Sequence, residues 1–330
     1  MQENAKKEIV FYYESRQNPN GDPGFENQPR LMPNGTIMVT DVRIKRTIRD
    51  YAKTKLGKTI FADYGKDGLP VTADARAIEI LTSLDGDVAK GLLTKTFDAP
   101  LFGALVTVRG NKSAKKQIGK STKKPGSEDE GEEGTGNSFK ITGPLQFGLG
   151  QSVNQVSIIN PTISGVFIGD QKNKPNRTFG KFYSVEYALI KVFGGINPAN
   201  LGEYGSDKEV KKNFDQAEKN LFDCLWNGTT ELVTRSKFPQ RSVFYLEIEY
   251  KGALYNDLSM LVEENTDLKG KATNMPKNPF KFDKLVNTLS RRKSKVAKIR
   301  VAACDELKSD ADELIKELKA KGFAAEAIEC

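Results

Sequence analysis

The chain has 330 residues, with 51 Lys and Arg against 43 Asp and Glu, a net charge of +8 and no histidine. The missing histidine excludes Ser-His-Asp and Cys-His nucleophile systems and any His-ligated metal, leaving carboxylates, Lys, Tyr or a carboxylate-bound Mg²⁺ as means of catalysis. Three scattered cysteines, Cys224, Cys304 and Cys330, are too few for a disulfide frame or a zinc knuckle, and no run of 18 apolar residues is present to cross a bilayer.

An apolar share of 38% and a charged share of 28% suit a globular chain of one large domain or two modest ones. Met1–Glu8 is polar and leads into a strand pattern without the apolar segment of a signal peptide, so a cytoplasmic protein is expected. Between Lys112 and Glu133, six lysines face five acidic residues and nearly cancel. The positive excess therefore belongs to the folded part, and a distributed positive charge suits polyanionic partners.

Glu8–Ser15 (EIVFYYES) is β-branched and aromatic and reads as a buried strand. Asn18-Pro-Asn-Gly-Asp-Pro23 is a dense cluster of turn formers and must be a structured loop. Thr40 offers an N-cap and Asp41 a first-turn acid for a helix running to about Leu56 and closed by Gly57. At about 100° per residue, Ile44, Ile48, Tyr51 and Ala52 share one arc. Arg43, Arg46, Arg49 and Lys53 share the far side, with Lys45 at the edge of the apolar arc. A stripe of one sign gains nothing from i,i+4 salt bridges; it is either a solvated outer face or a phosphate track.

Residues 61–104 are mixed helix and loop, with Ala73–Leu84 the best helix. Residues 109–138 form a Lys/Ser block followed by SEDEGEEGTGN, read as a disordered charged loop inserted in a folded unit. Phe139–Val156 alternates around glycines as a strand with bulges. Ser157–Gly169 and Lys181–Val192 are strand-like runs flanking a basic, turn-rich tip, Asp170–Gly180, with the aromatic Phe179. Ser206 and Glu209 form a capping box for a helix ending at Gly228. Ser242–Tyr250 is a strand, Asp283–Ser290 a short helix followed by Arg291, Arg292 and Lys293, which read as a solvated helix end. Ala297–Ala303 is a strand, and Ser309 with Asp312 opens a helix stopped by Gly322 before a last short strand.

Without its insertions the order to Tyr250 is strand, helix, strand, strand, helix, strand, the ferredoxin-like or RRM-like βαββαβ order. The common RRM aromatic signature is absent, so this order alone does not establish RNA binding.

NPNGDP at Asn18–Pro23, NQPR at Asn27–Arg30 and VTDVRIKRTIRDY at Val39–Tyr51 resemble the seventh-family backbone subunit of CRISPR type I Cascade complexes, in the RAMP superfamily, closest to types I-B and I-C. The similarity continues through DAPLFG (Asp98–Gly103), with Pro100 where the family carries arginine, and through YSVEYALIKVFGGIN within Phe179–Asn197. The resemblance implies an α+β fold: an RRM-like palm, a helical finger insertion and a β-hairpin thumb. Mapped here, the palm begins with 1–56, the fingers take 57–138, a palm strand takes 139–157 and the thumb 158–182. Residues 183–330 hold the second half of the palm and a C-terminal αβ extension.

The resemblance also implies a non-catalytic subunit, without cofactor or metal, that stacks head to tail along CRISPR RNA and presents it for pairing with target DNA. Its other partners would be the large, fifth-family and sixth-family Cascade subunits. Arg43, Lys45, Arg46 and Arg49 would contact guide phosphates, and Asn20 and Gly21 would bring loop amides close to one. At the thumb, Lys172, Lys174, Arg177 and Lys181 would clamp the strand, with Phe179 or Phe167 as a wedge. A tight turn at Asn20-Gly21 and a hairpin anchor at Phe179 are the plainer readings. The rivals are a metal-dependent endoribonuclease using Asp22 or Asp41, as in type III relatives, and a stand-alone RRM-like RNA chaperone. Turn chemistry accounts for Asp22 and the helix dipole for Asp41 without any catalytic role.

Overall fold

The computed structural model describes residues 5–84, 86–107, 138–168 and 177–330, without the side chains of residues 138, 163–168 and 177–179. The charged stretch 109–138 lies outside these residues except at its last position.

From the N-terminus run strands β1 (Lys6–Ser15), β2 (Gly21–Asp22), β3 (Gln28–Leu31) and β4 (Ile37–Val39), then helix α1 (Asp41–Thr54). Helices α2 (Ala73–Leu81), α3 (Val88–Lys95) and α4 (Ala99–Phe102) follow, with strands β5 (Gly103–Thr107), β6 (Ser138–Thr142), β7 (Leu145–Phe147) and β8 (Gly150–Ser152). Strands β9 (Ile158–Ile159), β10 (Thr162–Ile168), β11 (Arg177–Lys181), β12 (Ser184–Val185) and β13 (Ala188–Ile196) lead to α5 (Lys208–Lys219), α6 (Leu221–Thr230) and β14 (Gln240–Tyr250). The chain closes with α7 (Leu258–Leu261), β15 (Glu263–Glu264), β16 (Phe280–Lys281), α8 (Asp283–Arg291), β17 (Val296–Ala303), α9 (Lys308–Ala320) and β18 (Ala325–Ala327). The fold is mixed α+β.

These elements fall into two compact units. The first comprises Met1–Ile48, Gln146–Ile196 and Asp223–Cys330, the second Arg49–Leu145 and Asn197–Phe222.

Among the described residues the first unit carries a ten-stranded sheet ordered β18-β17-β14-β1-β13-β8-β4-β3-β2, with β7 also paired to β13. Strand β1 pairs antiparallel with β13 on one side and β14 on the other. Residues Ile9 to Tyr12 are 0% exposed, so β1 is covered on both faces. That is why it reads as a nearly unbroken apolar run instead of an alternating one. Val10 and Tyr12 enter a core with Leu246 and Ile248 of β14, Leu285 and Leu289 of α8, and Leu314 and Leu318 of α9. Phe11 meets Trp226 of α6 with ring centroids 6.3 Å apart. β17 and β18 pair in parallel, joined through α9.

Glu8, also 0% exposed, accepts hydrogen bonds from the backbone N–H groups of Tyr255 (2.6 Å), Asn256 (2.5 Å) and Leu258 (3.3 Å). A buried acid at the head of β1 thus satisfies the turn that starts α7. Strands β10 and β11 pair antiparallel, Thr162 opposite Lys181 and Ile168 opposite Arg177, with a register shift between Ser164 and Ile168.

The second unit joins two distant stretches of chain. Asn213 donates from Nδ2 to the carbonyls of Leu93 (2.7 Å) and Thr96 (2.8 Å), and Lys90 pairs with Asp207 at 2.7 Å. The sequence placed Ser206 as the cap of α5. In the structure Asp207 accepts from the N–H groups of Glu209 and Val210, and the Ser206 hydroxyl donates to Glu203 O. A carboxylate one residue on has two acceptor oxygens and the favourable dipole interaction. The expected helix to Gly228 is two helices, α5 and α6, broken at Asn220. At the end of the DAPLFG motif, Gly103 (φ 89°) faces Gly143, where a Cβ would lie 2.3 Å from the Gly103 nitrogen. Only glycine fits this crossing of β5 and β6.

A charge cluster of the first unit centres on Glu247, 3% exposed. It accepts from Arg300 (2.5 Å) and the Tyr245 hydroxyl (2.7 Å), with Lys7 at 3.4 Å. Burial alone would raise its carboxyl, but Lys7 and Arg300 together hold it below its ordinary value. An acid with a depressed folded value adds stability that is present above its unfolded value and lost as pH falls through the folded one. Replacing Glu247 by Gln should therefore cost about 3 kcal/mol at pH 7, and the loss should shrink towards pH 3 when both proteins are unfolded in urea. A gap of equal size at both pH values would contradict this account.

Candidate nucleic-acid interface

The loop that follows β1 is locked on three sides. Asn18, 4% exposed, donates its backbone N–H to Ser236 O (2.9 Å) and its Nδ2 to Asn27 O (2.5 Å). Its Oδ1 is buried without a hydrogen-bond partner among the described residues. Asn20, 7% exposed, accepts the Thr40 hydroxyl at 3.2 Å, and the Thr40 carbonyl accepts the Arg43 N–H at 3.1 Å. The loop is thereby tied to the start of α1. A Cβ on Gly21 would lie 2.7 Å from Asn27 O, so the glycine is demanded by the fold of the loop itself.

The two candidate aspartates have structural tasks. Asp22 accepts the Gly24 N–H (3.0 Å) on one oxygen and pairs with Arg30 (3.2 Å) on the other. Asp41 pairs with Lys45 at 3.1 Å. Among the described residues no three Asp, Glu, Cys or His side chains are grouped so as to hold a metal ion.

The basic stripe of α1 divides. Arg43 and Arg46 are half-buried and belong to the first unit. Lys45 is 9% exposed and donates to Gln146 Oε1 (3.0 Å) besides pairing with Asp41. Arg49 belongs to the second unit. There its Nε lies 2.8 Å from Asp98 and its guanidinium 4.9 Å from the Phe102 ring centroid. Asp98 in turn accepts the N–H groups of Phe61 (2.7 Å) and Ala62 (3.1 Å), so Arg49 completes a buried structural node.

Beside the loop stands a lysine that the sequence reading passed over. Lys237 donates to Asn18 O at 2.8 Å and Ser236 Oγ at 3.2 Å. Burial, and then repulsion from Arg43, pushes its ammonium down to about 8. The neighbouring Arg235 guanidinium lies 5.7 Å from the Phe182 ring centroid. The only sequence signal was the run TRSKFPQR, Thr234–Arg241, three cations in a turn-rich segment. Its proximity to Asn18 is a property of the β1–β14 pairing.

Lys181 is exposed and bonded to Glu26 (2.9 Å), which also accepts the Tyr183 hydroxyl (2.9 Å). That pairing raises the Lys181 ammonium and lowers the Glu26 carboxyl. Lys172 and Lys174 lie outside the described residues. Arg177 and Phe179 lie on β11 and Phe167 on β10, with side chains outside the described part. The expectation of a solvated end at Arg291–Lys293 fails for Arg292. It forms a bidentate pair with Asp257 (2.9 and 2.7 Å) and stacks 4.0 Å from the Tyr255 ring centroid, a fork geometry that only the folded loop supplies. Of the cysteines, Cys224 is buried, Cys304 half-buried and Cys330 exposed.

In its folded setting Lys237 binds its proton less tightly than in the unfolded chain. Between about pH 8 and the free-lysine value of about 10.4 the unfolded state therefore holds more protons, and stability rises with pH. Relative to Lys237→Met, the native protein should gain on the order of 1 kcal/mol from pH 8 to pH 10 in urea unfolding. A difference between the two that does not change with pH would refute the lysine's burial as described.

With this geometry in place, comparison with known proteins is informative. The model of the family described as "CRISPR-associated protein Cas7" matches residues 5–288. A solved "CRISPR RNA-guided surveillance complex, pre-nicking" contains a similar chain, with 11% identity, a TM-score of 0.50, and coverage of 98% of this chain and 96% of that one. A second "CRISPR RNA-guided surveillance complex" gives 10% identity, a TM-score of 0.47, and coverage of 98% and 95%. No curated protein sequence matches the chain.

Proposed function

Because the chain belongs to the CRISPR-associated protein Cas7 family, we propose that it is the repeated, non-catalytic backbone subunit of a type I Cascade-like complex, of the I-B or I-C kind. In this reading it binds CRISPR RNA, stacks head to tail with copies of itself and presents the guide for pairing with target DNA. The large, fifth-family and sixth-family subunits complete the complex, which works in the cytoplasm.

The observation that carries the reading is the buttressed loop Asn18–Asp22, fixed to the start of α1 and bordered by Arg43 and Lys237. A rigid turn with cations around it is suited to a phosphate backbone, where contacts position the strand and carry no sequence information. The palm of this proposal is β14-β1-β13-β8, neighbours in the sheet and antiparallel throughout. In chain order they are the fourth, first, third and second strands of a βαββαβ unit. The fingers, 57–138, fall within the second compact unit, and the thumb, 158–182, carries the paired strands β10 and β11.

Within this reading Arg43 and Arg46 contact phosphates. Lys45 and Arg49 hold the helix in place through Gln146 and Asp98, and Lys181 reaches the strand only by exchanging Glu26 for a phosphate. The nuclease alternative finds no support in Asp22 or Asp41, each of which has a local structural partner. With Lys172, Lys174 and Arg177 added, five phosphate contacts should give a log–log salt slope for guide RNA of about −3.5, at ~0.7 per contact for single strands. Arg43→Ala and Arg46→Ala should each lower the slope by about 0.7, while Arg49→Ala should cost stability and leave the slope alone. Affinity indifferent to salt, or RNA cut in the presence of Mg²⁺, would overturn the proposal.

A further inference from the structure

The second unit contains a basic cavity that the guide-binding reading does not use. It is open to solvent, with a volume of about 490 Å³, within the range of small-molecule sites. Five cations line it: Lys53, Lys58, Lys66, Arg76 and Lys95. Its two acids are already neutralised, Asp63 by Lys53 at 2.5 Å and Glu79 by Arg76 at 2.7 Å. Lys58, Lys66 and Lys95 have no ion-pair partner among the described residues. Lys66 and Lys95 are exposed and Lys58 half-buried, so the lining carries a net positive charge that favours an anion.

The walls of this cavity are built rather than incidental. Phe61 and Ala62 are held by the Asp98 carboxylate on one side. On the other, the turn at Gly65–Leu69 closes through Gly65 N to Leu69 O (2.9 Å), and the Lys66 N–H reaches Glu79 Oε1 at 3.4 Å. Gly65 is buried, and a Cβ there would meet Val71 at 2.7 Å. Arg76 spends its two terminal nitrogens on Glu79 and on Ile60 O (2.7 Å), while its Nε is buried without a partner among the described residues. Ile60 and Ile80 supply apolar lining. Cations on a pre-positioned frame beside an apolar wall suit a ligand with both a phosphate and a flat apolar ring.

We propose that this cavity is a second binding site, for the phosphate of a nucleotide, taken either as a free nucleotide or as one residue of a single strand. The site is separate from the loop of the first unit, and the proposal stands whether or not the guide-binding reading holds. The test uses the full chain, with AMP as the probe for a free nucleotide and a short oligodeoxythymidylate as the probe for a strand. Both are titrated calorimetrically against the native protein and the triple variant Lys58→Glu, Lys66→Glu, Lys95→Glu. These lysines are at or near the surface, so the variant should fold, which its thermal unfolding checks.

The expected result is a Kd for at least one probe raised about tenfold or more in the variant. For the oligonucleotide the salt slope should fall by about 2, at ~0.7 for each of three lost contacts. Loss of AMP binding identifies a free-nucleotide site, and loss confined to the oligonucleotide identifies a strand site. If the site is one for a free nucleotide, guide RNA affinity should follow Arg43→Ala and be insensitive to the triple variant; if it is a strand site, guide RNA affinity should fall with both. If neither probe binds, or if both bind the folded variant as they bind the native protein, the cavity is not a nucleotide site.

Discussion

The middle of strand β1, Ile9 to Tyr12, meets water on neither face, and the candidate interface depends on that burial. One face is covered by α8 and α9 over Val10 and Tyr12, the other by Trp226 against Phe11. With both edges also paired, the strand has no freedom to slip, since a one-residue shift would exchange the faces of every side chain. The loop that leaves its C-terminal end therefore begins from a fixed point. Asn18 is then fastened to Ser236 and Asn27, and Asn20 to Thr40, so the loop and the start of α1 share one frame. A site that binds a flexible polymer gains affinity when its own groups need no ordering.

Charge follows the same economy. A helix with Arg43, Lys45, Arg46 and Arg49 looks like one continuous basic track, yet Lys45 and Arg49 are committed to Gln146, Asp41 and Asp98. Such commitments reduce like-charge repulsion along the helix. Lys237 adds a cation from β14's approach. It is partly buried, with its ammonium bonded to Asn18 O and Ser236 Oγ, and burial and the nearby Arg43 lower it.

Much of this was legible in the sequence, for physical reasons. Helix α1 was marked by its apolar spacing, its Asp41 first turn and Gly57, which has a φ of 61°, and its boundaries agree within two residues. The turn at NPNGDP, the strands at Glu8–Ser15 and Ser242–Tyr250, and the C-terminal strand–helix–strand followed from periodicity and turn chemistry. What escaped was non-local. Nothing in the periodicity of α1 reveals that Arg49 meets Asp98, 49 residues away, or that Arg292 meets Asp257. The joining of 197–222 to 49–145 likewise leaves no local signature. Gly21 and the capping residue Asp207 show a second limit: several turn formers in a row compete for one role, and only the backbone decides between them.

The most direct test of the central claim is the native mass of the protein assembled on synthetic guide RNAs of increasing length, with Mg²⁺ present and the RNA recovered afterwards. The account predicts copies added stepwise as the guide lengthens, on RNA that remains intact. A single copy at every length would reduce the protein to a simple binding module, and regularly spaced cuts that vanish in Asp22→Ala would make it a nuclease; either result would contradict the account.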